Sequence, residues 1–106
     1  MVKLVDYGDE PLAHGTIFRC TKAESPYEDS VDYLLCDLSE GLGFIVCSGY
    51  KAGLVYRIFP DEAYAPNTRM LNPKWIRAHW KDWGYDVCPL EDVYIGEIIS
   101  IQLKGV

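Results

Sequence analysis

Apolar residues in this chain come in short runs closed by glycine, proline or acidic turns, and only one stretch carries the spacing of a helix. Such punctuation builds antiparallel strands and leaves little room for helical layers. Residues 4–7 are a short edge-strand candidate, followed by a turn at Gly8-Asp9-Glu10-Pro11 and a second strand over 16–21. Val31–Leu38 and residues 43–47 flank Ser39-Glu40-Gly41-Leu42, a glycine-containing link suited to a hairpin. Another strand over 54–59 is stopped by Pro60, and shorter ones are expected at 85–88 and 93–95 around Pro89-Leu90-Glu91-Asp92. The last strong strand is predicted over 97–103, with Gly96 marking a bulge. Along Val31–Leu38, Leu34, Cys36 and Leu38 share one face while Tyr33 and Leu35 share the other. Apolar groups on both faces predict a mainly β fold, an antiparallel β-sandwich of about seven or eight short strands.

The single helix opens at Asn72, a good N-cap, with Pro73 at its first position and Gly84 placed to stop it after Trp83. Ile76, Trp80 and Trp83 fall at i, i+4 and i+7 and form its apolar stripe. Trp75 is offset from that stripe and, where exposed, would be a second candidate contact point. Lys74, Arg77 and Lys81 give the helix a basic face beside His79, and residues 63–81 contain no acid.

A chain of 106 residues, 49% of them hydrophobic, fits one domain spanning 1–106. The formal charge of -6 excludes a nucleic-acid backbone as direct ligand, since that contact needs clustered Lys and Arg. The start lacks the basic-then-apolar order of a secretory signal, and no stretch reaches the length of a membrane span. Cys20, Cys36, Cys47 and Cys88 lack paired metal-ligand spacing and read as free thiols, which points to the reducing cytoplasm. Gly49 and Gly53 enclose three residues and are followed by Leu54, which does not make a phosphate loop. With His14 and His79 as its two histidines and no nucleophile elbow, the chain predicts no catalytic residue, no metal and no cofactor.

Between Lys22 and Lys51 stand six acidic residues and no Lys or Arg. Tyrosines interleaved with these acids supply flat contact groups as well as charge, so Glu24, Tyr27, Glu28, Asp29, Asp32 and Tyr33 are the candidate binding residues. Asp61, Glu62 and Tyr64 form a second acidic-aromatic group that extends this surface if the fold brings the two together. The expected partner is a basic macromolecule.

Three segments carry a family resemblance: residues 15–20, the turn over 48–54, and Trp75, Trp80, Trp83 and Tyr85 followed by Cys88 and Asp92-Val93. With them the chain resembles the small bacterial immunity proteins of contact-dependent growth inhibition and related polymorphic toxin systems. The resemblance implies a cytoplasmic, non-enzymatic inhibitor that binds a toxin's C-terminal domain as a 1:1 heterodimer. Many such toxins are nucleases, whose clefts are basic, and an acidic inhibitor suits that field. Two other functions fit the residues: an adaptor docking through the basic helix, and a ligand-binding or enzymatic domain with a pocket lined by Trp75, His79 and Tyr50.

Overall fold

Because alternate residues of a strand point to opposite faces, the pattern of Val31–Leu38 decides where the core lies. In a computed structural model, which describes residues 1–24 and 28–97, Val31, Tyr33 and Leu35 are buried and Asp32, Leu34 and Cys36 are half-buried. The strands are β1 (Val2–Lys3), β2 (Ile17–Cys20), β3 (Val31–Leu38), β4 (Gly41–Val46), β5 (Val55–Ile58) and β6 (Val93–Gly96). All pair antiparallel in one sheet of order β1-β6-β2-β3-β4-β5. Mainly β architecture with antiparallel pairing therefore matches the sequence.

The predicted second sheet is replaced, among the described residues, by a helical layer on one face. Helices α1 (Pro73–Ala78) and α2 (Trp80–Trp83) lay aromatic rings over the strands. Trp80 stacks on Phe18 of β2 at 6.4 Å and meets Phe44 of β4 edge-on at 6.5 Å. Trp75 meets Phe59 at 6.0 Å. Rings of this size cover the core face without a second sheet, and full burial of each contributes about 2–3 kcal/mol.

Asn72 caps α1 as its sequence dictates: its side chain accepts a hydrogen bond from the Lys74 N–H at 3.0 Å. The helix then breaks at His79, whose backbone (φ -116, ψ 15) leaves the helical region before α2 begins. Trp75, offset from the stripe in sequence, is 9% exposed and so is not a contact point. It stands one residue from Ile76, so the apolar stripe is wider than the three positions that define it in sequence.

Two of the expected strands take other forms. Residues Leu4–Asp6 are a 3-10 turn after β1, which rotates Leu4 fully into the core. Residues 85–88 are a turn whose Cys88 carbonyl accepts the Trp80 indole N–H at 2.8 Å. The strand expected over 97–103 lies, beyond Glu97, outside the described residues.

β4 and β5 approach closely at Gly43, where an added Cβ would overlap the Arg57 carbonyl oxygen. Gly43→Ala is expected to cost about 1–3 kcal/mol in urea denaturation, the usual penalty for overpacking.

Candidate partner-binding surface

The acidic segment links the end of β2 to the start of β3, and it is tied down from the helical side. The Tyr85 hydroxyl accepts a hydrogen bond from the Glu24 N–H at 3.2 Å, and the Glu24 carbonyl accepts one from the Glu28 N–H at 3.2 Å. Glu28 lays its carboxyl against Gly49, where any Cβ would overlap it and where φ is +78. A residue other than glycine would be strained there as well as obstructive. Oxygen Oε1 of Glu28 is out of solvent and has no hydrogen-bond partner. Its negative charge adds to burial in pushing the Tyr33 and Tyr85 phenols above their ordinary range.

Glu24 and Asp29 are exposed beside it. Among the described residues, none of Glu24, Glu28 and Asp29 has a cationic partner. Asp32 differs. It holds Arg19 through two hydrogen bonds of 2.9 Å, and its N–H donates to Ser48 Oγ at 2.9 Å. Strand alternation turns Asp32 away from the core face, and its side chain is 17% exposed. Its charge is therefore already compensated within the protein.

Tyr33 is 2% exposed and sits beneath the surface, 4.9 Å from Tyr56 and 5.6 Å from Tyr85 between ring centroids. It supports the patch from below and presents no face to a partner. Tyr27 lies outside the described residues. Asp61 and Glu62 are exposed in a 3-10 turn just beyond β5, while the Tyr64 hydroxyl accepts a hydrogen bond from the Leu42 N–H at 2.9 Å. The two acidic groups are not contiguous. Glu28 lies by the turn that leads into β5 and Asp61 follows its exit, with a strand of about 13 Å at 3.3 Å per residue between.

That strand and its entry turn carry residues absent from the sequence-derived site. Tyr50, Leu54 and Val55 are 61%, 59% and 55% exposed. β5 ends the sheet, with no strand on its outer side among the described residues. Nothing in the local sequence marks it as an edge, because strand order depends on pairings between distant segments.

The basic helix face is engaged elsewhere. Arg77 donates to the Gly8 carbonyl at 2.8 Å and pairs with Asp9 at 2.8 Å, and Lys74 lies 3.6 Å from the same carboxylate. His79 stacks on Trp75 at 4.5 Å, with its Nδ1 2.8 Å from the Trp75 carbonyl oxygen. Two rings of the suggested pocket, Trp75 and His79, thus cover one another, while Tyr50 is 61% exposed. No helix among the described residues is long and apolar enough to cross a membrane.

At the far end of β3, Arg69 grips Asp37 through bonds of 2.9 and 2.6 Å and holds its carboxyl below the usual range. A lowered folded-state pKa gives stability that is present above the unfolded value, about 4, and lost as pH falls through the folded value. Asp37→Asn is expected to flatten the fall of melting temperature below about pH 4 relative to wild type.

A family model described as Immunity protein 45 matches residues 4–95. No curated protein matches the chain. Nor does any solved structure. The match spans nearly all of the chain, and the protein belongs to this immunity family.

Proposed function

We propose that this immunity protein neutralises a basic toxin domain, a ribonuclease or other nuclease, by occluding its active site or substrate groove. In this reading it acts in the cytoplasm, in a contact-dependent growth inhibition or related system, as the inhibitory half of a 1:1 heterodimer. The carrying observation is the unneutralised acidic surface of Glu24, Glu28 and Asp29. A nuclease cleft concentrates positive charge to hold phosphates, and carboxylates can occupy the same field. Asp61 and Glu62 supply a second anionic contact at the other end of β5. Asp32 contributes by pairing with Arg19, and Tyr33 and Tyr64 contribute as supports.

The adaptor alternative is less favoured, since Arg77 and Lys74 of its Lys74, Arg77 and Lys81 face pair with Asp9. Co-expression with the toxin-like open reading frame expected immediately upstream tests the proposal. Growth rescue, with co-purification that weakens as salt rises, is expected. Failure of the wild-type protein to rescue growth or to bind that domain overturns it.

A further inference from the structure

The acidic patch explains attraction, but charge at exposed positions retains a partner weakly, because water and salt screen it. Durable retention needs apolar groups to leave water at the same place. Leu54 and Val55, 59% and 55% exposed, stand where β5 begins, on the outermost strand of the sheet. Solvent-facing apolar side chains on an open strand edge are a hazard that soluble proteins ordinarily avoid. Here the hazard is bracketed by predominantly acidic groups. Glu28 rests against Gly49 in the turn that leads to β5, with Asp29 next to it and Glu24 hydrogen-bonded to the Glu28 N–H, and Asp61 and Glu62 lie at the exit.

Two cations stand in this region, Lys51 in the entry turn and Arg57 on β5, and the five carboxylates outnumber them, so the net sign stays negative. Lys51 lies over the Tyr50 ring at 5.4 Å, and Arg57 is held at 5.3 Å from Tyr56 and 5.7 Å from Trp83. The bracketing also decides who can use the edge. Two copies of this chain pairing β5 with β5 antiparallel would set the Glu28 end of each against the Asp61 and Glu62 end of the other. Like charges would then meet at both ends.

We infer that β5 is the docking strand for an extended basic segment of the toxin, which adds to the open sheet edge over Leu54 and Val55 with its cations directed at the two flanking acidic groups. This rests on the reading of the partner as a basic toxin, and it adds the anchor and the partner's conformation. Backbone hydrogen bonds along the edge supply affinity without sequence demands, while Leu54 and Val55 supply the apolar contact. The acidic brackets orient the incoming segment and reject acidic or neutral strands.

The test uses the complex with the toxin domain. Leu54→Ser with Val55→Thr removes apolar surface at exposed positions and leaves the core alone. Dissociation is expected to speed up by at least about 30-fold with an unchanged melting temperature of the free protein, and the β5 amides of wild type should gain hydrogen-exchange protection on binding. A wild-type dissociation rate in the double variant, or unprotected β5 amides in the complex, overturns the inference while leaving the acidic-surface reading in place. Protection of β5 by concentration-dependent dimerisation without toxin also overturns it, in favour of a second copy. If wild type forms no complex at all, the reading beneath it falls too.

Discussion

Replacing Glu24 and Asp29 together with lysine is expected to slow association with the toxin domain by about 10-fold or more at low ionic strength. Both side chains are exposed and neither has an ion-pair partner among the described residues, so the exchange alters the field without disturbing packing. Glu28 is a poorer choice for charge reversal, although the sequence nominates it, because its carboxyl is fitted against Gly49. Lysine there would confuse electrostatics with misfit. Steering acts over a distance set by screening, which falls from about 10 Å at 0.1 M salt to about 3 Å at 1 M. The gap between variant and wild type should accordingly close as salt is added, while dissociation changes less. Stopped-flow association over a salt series measures this. Parallel salt dependences in the two proteins would remove Glu24 and Asp29 from the encounter.

Trp80→Ala is expected to cost about 3–5 kcal/mol in chemical denaturation, a large part of the stability of a domain this size. The indole is 3% exposed, bridges Phe18 and Phe44, and donates its N–H to the Cys88 carbonyl. Truncation leaves a cavity between sheet and helices and an unsatisfied carbonyl in the turn that follows α2. It also removes the ring over which Gly84 closes, where a Cβ would overlap the indole. Trp80→Phe should fall between, since it keeps most of the apolar fill and loses the hydrogen bond. A loss below about 1 kcal/mol for the alanine variant would mean that the helices are not held to the sheet through this residue.

Much of the local structure is written in neighbouring residues. Asn72-Pro73 and Gly84 bound the helical segment because a cap, a fixed φ and a stop act within one or two residues. Ser39-Glu40 between β3 and β4 is legible for the same reason, with Gly41 at φ +136 closing the turn. The acidic segment was legible as charge, and Glu24, Glu28 and Asp29 remain the residues best placed to use it. What did not follow from spacing was the state of each side chain. Asp32 and Glu28 are equally acidic in sequence, yet one meets Arg19 across a strand pair and the other a glycine from a distant turn.

By itself, then, the sequence determined the central strands, the turns between them, the start and stop of the helical segment and an anionic stretch without internal cations, because these depend on periodicity, backbone freedom and composition over a few residues. Tertiary structure alone decided that the helical cover stands without a second sheet among the described residues, that Arg77 and Lys74 secure Asp9, that Tyr33 is enclosed, and that β5 stands open between two acidic groups. Those outcomes depend on which distant segments pair and which side chains meet across the sheet, and no local pattern encodes the order of strands.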